Sequence, residues 1–384
     1  MAAYYIHRRE KCPVCQSAIK PEGIKPHENL QFPLLPVCVD SPREKDEFAP
    51  FTITICGNCG LILLLDVADP EVLYRIFHSD GIGKVWEEHY GVFASIISKH
   101  HQGGKLLEIG AGQGKLMAKL LHIYESGMEV IDPQYEGPRG GVTAHPCLLN
   151  REFAEKNAGR FSSVASSHTL EHFIDFNDYF ENAHRLLRSK GLLFTSVPNQ
   201  EANFAKGYGN QLNFEHPSVC TNAHWLHLHY KNGFAVRETV FFKDHSIMFA
   251  AERLEKPEKY DIDARGLSQS LLGQYERSIR ARIDSVRQKA KPDRENWVFG
   301  ASNFTQPLFL YGLDEGIFSG VMDNSPLKHN KRLYGTSLTC RKPEQVISEK
   351  GGGRLRVFLN IGQYNDEVGQ QLKKLSPGIA LVEL

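Results

Sequence analysis

The chain has 384 residues, of which 41% are hydrophobic and 23% are charged, as in a globular protein large enough for two or three domains. Its 45 Lys and Arg residues balance its 45 Asp and Glu residues, so the formal net charge is zero. Nucleic acid and anionic membranes both favour a basic surplus, and we therefore expect neither as a partner.

The chain contains no apolar run near the roughly 18–20 residues that a bilayer span requires. Its first ten residues also lack the apolar stretch of a secretory signal. We therefore expect no membrane segment and a cytoplasmic location. Eight cysteines in a chain of this length do not form a disulfide scaffold, and pairs of them in a reducing compartment indicate metal or redox chemistry.

The chain divides into four segments that differ in sequence pattern. Residues 1–85 contain paired cysteines, prolines and short β-rich runs, and are predicted to form a small N-terminal module. Residues 86–255 alternate apolar runs with helical stretches, the pattern of βαβ units around a parallel sheet. Residues 256–292 contain a helix-favouring stretch, Leu267 to Lys291, and residues 293–384 begin a second α/β pattern. The predicted fold class is α/β.

The N-terminal module contains two Cys-x-x-Cys pairs, Cys12 with Cys15 and Cys56 with Cys59. Two sulfurs of one tight turn reach one ion, and four thiolates suit tetrahedral Zn²⁺. Such a site is closed to water, so we assign the zinc a structural role. A redox pair and unrelated surface turns are the alternatives, although neither explains two pairs in one small segment.

The segment Glu108-Ile-Gly-Ala-Gly-Gln-Gly114 predicts a strand, a glycine turn and the start of a helix. Glycines let the backbone turn sharply and approach a ligand closely, which could also serve a dinucleotide. Glu108 favours a different ligand, because its carboxylate would repel pyrophosphate and attract the amino group of a methionine moiety. The variant resembles motif I of class I methyltransferases. We predict that Glu108, Gly110, Gly112 and Gln113 bind S-adenosylmethionine.

Two later strands supply further groups for the same ligand. The strand Met128–Ile131 ends at Asp132, about 20 positions after the glycines, where a carboxylate can hold both ribose hydroxyls. The strand Ser162–Ser167 runs into His168, so Ser167 and His168 are predicted to line the adenosine pocket. Parallel strands gather their carboxyl ends at one edge, where ligands bind.

Two histidine motifs follow the cofactor strands. His172 comes soon after His168, and Glu215 directly precedes His216. A carbon acceptor must lose a proton beside a carbonyl, and the resulting enolate needs hydrogen-bond donors. Imidazole serves both purposes near neutral pH, although any one of 17 histidines is more often structural.

The order of these features resembles the sugar C-methyltransferase family over nearly the whole chain. The matching stretches are the cysteine pairs, Leu107 to Gly114, Glu215-His216, Phe299 to Ser302 and Asp323 to His329. Members of that family methylate C3 of dTDP-4-keto-6-deoxy sugars, and have a zinc-binding N-terminal module, a class I Rossmann-like core and a C-terminal Rossmann-like domain.

The resemblance implies roles for individual residues. His216 would be the base that removes the proton beside the ketone, with Glu215 as its partner. His172 would stabilise the enolate, and Asp323 and the Gly300 turn would lie near a nucleotide sugar. The N-terminal module would cover the acceptor as a lid. A monomer or small homo-oligomer is expected.

The chain departs from the family pattern at its tyrosines. The family commonly has a tyrosine two positions before the glutamate of the Glu-His pair, where this chain has Asn213. A second family tyrosine has Tyr74 and Tyr90 as candidates, neither in a well-kept motif. The loss of phenol donors allows a different ketose or a non-sugar carbon acid as the substrate. The nearest rival activity is that of an O- or N-methyltransferase of a small metabolite. A zinc-bearing interaction protein without activity is disfavoured by the intact glycines and acidic residues.

Overall fold

The N-terminal segment forms short strands and one short helix. In the computed structural model the described residues are 6–19, 30–73, 81, 83–124, 127–138 and 140–384. The elements of the N-terminal segment are β1 (Ile6–Arg8), β2 (Gln31–Pro33), β3 (Cys38–Val39), β4 (Phe48–Pro50), β5 (Ile53–Ile55), β6 (Ile62–Leu64), β7 (Asp66–Ala68) and α1 (Pro70–Leu73).

The central segment is built on a seven-stranded sheet. Its strands are β8 (Leu106–Ile109), β9 (Met128–Ile131), β10 (Val142–His145), β11 (Phe161–Ser167), β12 (Leu187–Pro198), β14 (Phe234–Phe242) and β15 (Ser246–Arg253). The order is β10-β9-β8-β11-β12-β15-β14; the first five strands are parallel, and β15 runs antiparallel to both of its neighbours.

Helices cover both faces of this sheet. They are α2 (Lys84–His100), α3 (Lys115–Leu120), α4 (Arg151–Lys156), α5 (Phe176–Leu186), α6 (Gln200–Ala205) and α7 (Asn222–Lys231). Because parallel strands are buried on both faces, the central ones are continuous apolar runs: all four residues of β8 and of β9 are buried. The edge strand β10 is partly exposed throughout. The short strand β13 (Ser218–Val219) leaves this sheet and pairs with β6.

A long helix, α8 (Arg265–Lys289), leads to the C-terminal sheet. Its buried residues recur every three or four positions, as in Leu271, Tyr275 and Ile279, so one stripe faces the core. Tyr275 stacks on Phe204 of α6 with ring centroids 4.3 Å apart. The following strands are β16 (Glu295–Phe299), β17 (Gly320–Met322), β18 (Arg332–Leu333), β19 (Cys340–Arg341), β20 (Leu355–Leu359) and β21 (Ala380–Glu383), with helices α9 (Gln306–Leu310), α10 (Pro343–Lys350) and α11 (Asn365–Leu375).

The C-terminal sheet has five parallel strands in the order β19-β17-β16-β20-β21. The α/β class predicted from the sequence is therefore confirmed. The connecting helix lies two residues earlier than expected at each end. No helix among the described residues combines the length and apolar character needed to cross a bilayer.

The N-terminal segment is joined to both sheets. β3 pairs with β18 of the C-terminal segment, and one apolar cluster contains Phe32, Tyr275 and Val298 from three different segments. Arg332 of β18 donates two hydrogen bonds, of 2.6 and 2.7 Å, to the carboxylate of Asp46, whose side chain is fully buried. A bidentate pair of this kind holds its partners in one geometry.

Replacing Arg332 by Ala leaves the Asp46 carboxylate buried without its cation, which costs about 3–5 kcal/mol. We expect a large fall in the denaturant midpoint measured by circular dichroism. The matched control is Arg341→Ala, which removes an ion pair with the half-exposed Glu349 and costs no more than about 1 kcal/mol. Equal midpoints for the two variants would contradict the structural role of Arg332.

Candidate active site

A cavity of about 1010 Å³ lies at the carboxyl edge of the seven-stranded sheet. The loops after β8, β9 and β11 line one part of it, and residues of the C-terminal segment line another. The parallel pairing of β11 with β8 and β12 brings these loops side by side. The cavity is therefore formed where an open α/β sheet binds ligands.

The glycine loop after β8 forms the floor of the cavity. Gly110, Gly112 and Gly114 have φ values of +71°, +51° and +69°, a left-handed conformation that side chains disfavour. A Cβ on Gly110 would meet Oγ1 of Thr169 at 2.4 Å, so the loop after β11 leaves no room for one. Glu108 lines the cavity with a side chain that is almost completely buried.

Asp132 connects the glycine loop to the end of β9. Its Oδ2 accepts a 2.8 Å hydrogen bond from the Gly112 amide, and its Oδ1 accepts a 2.7 Å bond from the Gln134 amide. Asp132 lines the cavity, whereas Gln113 is partly exposed beside the loop and does not line it. The carboxylates of Glu108 and Asp132 thus flank the glycine loop. They can accept hydrogen bonds from the amino group and the ribose hydroxyls of S-adenosylmethionine.

Ser167 and His168 lie at the end of β11, as expected, and belong to a histidine network. Ser167 Oγ is 2.9 Å from Nε2 of His89, and Nε2 of His168 is 2.8 Å from Oγ of Ser246. The same Ser246 hydroxyl lies 3.0 Å from Nδ1 of His89 and also contacts Nδ1 of His245. One serine hydroxyl therefore joins three imidazoles, and burial lowers the pKa of each.

A second group of titratable side chains lies beside this network. Glu171, His172 and His216 place ligand-type atoms within 4.8 Å of one another, and the two imidazole centroids are 4.6 Å apart. All three side chains line the cavity. The structure thus brings together the two predicted acid–base histidines, which are 44 positions apart in the sequence.

The loop that carries His216 is held by two asparagines. The Nδ1 atom of His216 lies 2.9 Å from the carbonyl oxygen of Asn210, so it carries the proton and donates. The Asn213 carboxamide oxygen accepts from the amides of Glu215 at 2.8 Å and His216 at 3.1 Å. The asparagine found where a tyrosine was expected is therefore a buried turn-forming residue.

Burial lowers the pKa of His216, while the Glu215 carboxylate and the Asn210 carbonyl partly oppose that effect. His216 is therefore neutral at physiological pH, with its proton on Nδ1 and its lone pair on Nε2. A neutral imidazole with a fixed tautomer can accept a proton.

The C-terminal segment supplies polar groups to the same cavity. Gly300, Ser302, Asn324, Asp323 and Lys328 line it. The Asp323 carboxylate accepts from the Ala301 amide at 2.9 Å and from Nζ of Lys328 at 3.0 Å, so it ties the loop after β16 to the loop after β17.

The four paired cysteines meet away from the cavity. Their sulfurs lie within 4.8 Å of one another, with Cys12 to Cys59 at 3.6 Å and Cys15 to Cys56 at 3.7 Å. A tetrahedral Zn²⁺ with bonds of about 2.3 Å separates its sulfurs by about 3.8 Å, so the cluster fits that ion.

The lid role expected of the N-terminal module stays a prediction. Pro70, Gly81 and Gly83 of residues 1–85 line the cavity, whereas none of the described residues 6–19 and 30–69 does. The first cysteine pair packs against α5 and α7 instead, because Asn177 donates to the Pro13 carbonyl and Lys231 to the Val14 carbonyl, each at 2.9 Å.

Several lining residues had no sequence signal of their own. Trp86 packs on His168 and His245 with centroids 4.8 and 4.5 Å away, and Tyr364 reaches the cavity from the C-terminal segment. Glu171 could have been found, since it directly precedes His172. Tyr90 lines the cavity, and Tyr74 lies outside the described residues.

The chain was compared with known proteins. Residues 91–239 match the model of a methyltransferase domain. An S-adenosylmethionine dependent methyltransferase from Mesorhizobium loti is 14% identical, with coverage of 44% of this chain and 99% of that one and a TM-score of 0.36. The 1,6-didemethyltoxoflavin-N1-methyltransferase of Burkholderia thailandensis is also 14% identical, with coverage of 51% and 96% and a TM-score of 0.34. No curated protein matches.

Residues 91–239 are thus a methyltransferase domain, and the central segment has the class I Rossmann-like fold of S-adenosylmethionine-dependent methyltransferases. S-adenosylmethionine, the cofactor predicted from the glycine loop, is confirmed by the match to a methyltransferase domain. The residues that hold it stay a prediction.

Replacing Gly110 by Ala adds a Cβ in a left-handed conformation against the stiff side chain of Thr169. We expect the affinity for S-adenosylmethionine, measured by calorimetry, to fall at least about tenfold, since roughly 1.4 kcal/mol suffices for that change. Gly159→Ala is the control, because Gly159 is also left-handed at +66° but has nothing within 4 Å. Unchanged affinity in both variants would contradict the role of the loop.

Proposed function

We propose that the chain methylates a carbon atom of a nucleotide-linked keto-deoxy sugar, beside the ketone. The supporting observation is the convergence of His216, His172 and the glycine loop on one cavity. An O- or N-acceptor needs modest help from a base, whereas a carbon acceptor needs both a base and a group that stabilises an enolate. Two neighbouring imidazoles meet that need.

Each residue has a defined part in the proposed reaction. His216 takes the proton from the carbon beside the ketone through Nε2, because Nδ1 is committed to the Asn210 carbonyl. His172 donates a hydrogen bond to the enolate oxygen. Glu108 and Asp132 hold the methyl donor, which supplies an electrophilic methyl group when bound. The enolate carbon then attacks that methyl group in line.

The size of the cavity and its C-terminal lining support a large acceptor. A cavity of about 1010 Å³ lies at the upper end of the range for a single ligand of ordinary size, so it can take the methyl donor and a second molecule. Ser302, Asn324 and Lys328 offer hydrogen-bond donors to a sugar or a phosphate. Gly300 and Asp323 shape the loops that carry them.

The four cysteines are proposed to hold one structural Zn²⁺. All four ligand positions would be thiolates, so the ion would have no open position for water or substrate. The contacts of this cluster with α5 and α7 support a role in holding the N-terminal segment on the core.

His216→Asn should abolish methyl transfer to dTDP-4-keto-6-deoxyglucose, with a loss of at least about 100-fold, because it removes the base. Its affinity for S-adenosylmethionine should stay within about twofold of the wild-type value. His122→Asn, which changes an exposed histidine, is the control. Turnover of His216→Asn at the wild-type rate would refute the assignment of the base.

The pH dependence should show the lowered pKa of His216. The base is active when neutral, so kcat/KM should fall as the pH drops through the pKa of His216, below the ordinary 6.5. A limb centred above 6.5 would contradict the neutral base.

Solvent exchange separates carbon from oxygen or nitrogen acceptors. In D₂O without S-adenosylmethionine, the enzyme should exchange the proton beside the ketone of the same sugar, because His216 acts before the methyl group is needed. An O- or N-methyltransferase would leave that proton in place, and His216→Asn should do so as well.

Metal analysis should find one zinc per chain, and Cys56→Ser should lose it together with much of the stability of the N-terminal segment. Cys147→Ser is the control, since Cys147 lies outside the cluster. Full zinc content in Cys56→Ser would disprove the four-cysteine site.

A further inference from the structure

Glu171 lies between the two histidine groups of the cavity. Its side chain is 1% exposed, and the residue lies in the loop between β11 and α5. Its Oε1 is 3.5 Å from Nδ1 of His168, and one of its carboxyl oxygens lies within 4.8 Å of a ring nitrogen of His172 and of His216. Glu171 is therefore close both to the Ser246 network and to the proposed base.

The surroundings of Glu171 disfavour a negative charge. Among the described residues, no other residue donates a hydrogen bond to either of its carboxyl oxygens, and its own backbone amide opposes the effect of burial only in part. The titratable groups around it are His168, His172 and His216, with Glu215 beyond them and the buried Tyr179 and Cys220 behind. Burial lowers the pKa of His168 and of His216, so neither adds a positive charge at neutral pH, and burial raises the pKa of Glu171 to about 8.

A buried carboxyl group without donors is stable when it is protonated, since desolvation penalises the charged form. A protonated Glu171 can donate to Nδ1 of His168. That imidazole then keeps its proton on Nε2, which lies 2.8 Å from the Ser246 hydroxyl. The hydroxyl continues to Nδ1 of His89 at 3.0 Å. The tautomers are consistent along the whole chain of contacts.

The backbone conformation of His168 supports a functional role for its position between Glu171 and Ser246. His168 has a φ of +50°, a left-handed conformation that costs a residue with a side chain about 1–2 kcal/mol. Such strain persists where the surrounding structure requires a particular side-chain position. Here the strained backbone places the imidazole of His168 between Glu171 and Ser246.

We propose that Glu171 is a proton-transfer residue that links His216 to the His168–Ser246 network and discharges the base after each methyl transfer. This inference rests on the proposed function, because it requires a base that is protonated in every turnover.

The proton and electron balance requires that His216 lose one proton in each turnover. The C–H bond of the acceptor breaks, its electron pair stays on the acceptor as the enolate, and the proton goes to Nε2 of His216. The new C–C bond forms as the C–S bond breaks, and that electron pair leaves with sulfur. One proton is therefore left on His216 per turnover. Glu171 takes it on one oxygen and gives its own proton from the other oxygen to Nδ1 of His168. His168 lines the cavity with a side chain that is 15% exposed, so it releases the proton to solvent and returns to its neutral form.

Infrared spectroscopy tests the protonation of Glu171 without any substrate. With ¹³C-labelled glutamate, wild-type protein at pH 7 should show the carbonyl stretch of a buried protonated carboxyl group, and E171Q should lack it. E152Q, which changes an exposed glutamate, should retain the band. No such band in the wild type, or a band that persists in E171Q, would overturn the proposal.

Rapid-mixing kinetics test the transfer itself, with dTDP-4-keto-6-deoxyglucose and S-adenosylmethionine as the probe. E171Q should methylate about one sugar per active site at nearly the wild-type rate and then continue at least about 100-fold more slowly, because His216 stays protonated. Equal slowing of both phases, as for a structural residue, would overturn the proposal. E171D should restore part of the rate of the slow phase.

Two other outcomes are distinguishable. If the wild type does not methylate this sugar, the proposed function fails for that substrate while the infrared band still decides the state of Glu171. If the wild type binds a second divalent cation, tested with Co²⁺ on the zinc-loaded protein, and E171Q does not, the three residues form a metal site and the proton-transfer proposal is wrong.

Discussion

β11 pairs in parallel with β8 on one side and with β12 on the other, and this pairing aligns the ends of three strands at one edge of the sheet. The register places Ala165 beside Glu108 and Ser167 beside Ser196. The loop after β11 consequently packs on the loop after β8, where Thr169 fills the space that a Cβ of Gly110 would need. The glycine loop, His168 and His172 depend on this alignment, because all of them lie just beyond the strand ends.

Burial of many titratable groups is the second constraint, and it determines their charge states. His89, His168, His216 and His245 all have a lowered pKa, and Glu171 has a raised one, in each case chiefly because burial removes water from the charged form. These five side chains are thus held in their neutral forms near pH 7. Neutral groups of this kind can accept and donate protons near neutral pH, which a site of fixed ion pairs cannot do.

The N-terminal segment contacts the strand and the helices that support the loop of His216. β6 pairs with β13, which follows His216 by two residues, and Arg9 donates a 2.9 Å hydrogen bond to Ser218 of β13. The cysteine cluster packs on α5 and α7, which flank the same region. Loss of this segment would therefore loosen the loop that holds His216, although no described residue of 6–19 or 30–69 lines the cavity.

The sequence by itself determined the features that are local in the chain. The glycines after β8, the acidic residues at two strand ends and the cysteine pairs could each be read from spacing, because the turn, the strand end and the metal knuckle are built from neighbouring residues. The tertiary structure decided which distant residues meet. Trp86, His245 and Tyr364 come from three separate parts of the chain and reach the cavity only through sheet order and the docking of the C-terminal segment. The charge state of Glu171 was decided in the same way, since burial and neighbours, and not residue type, set its pKa.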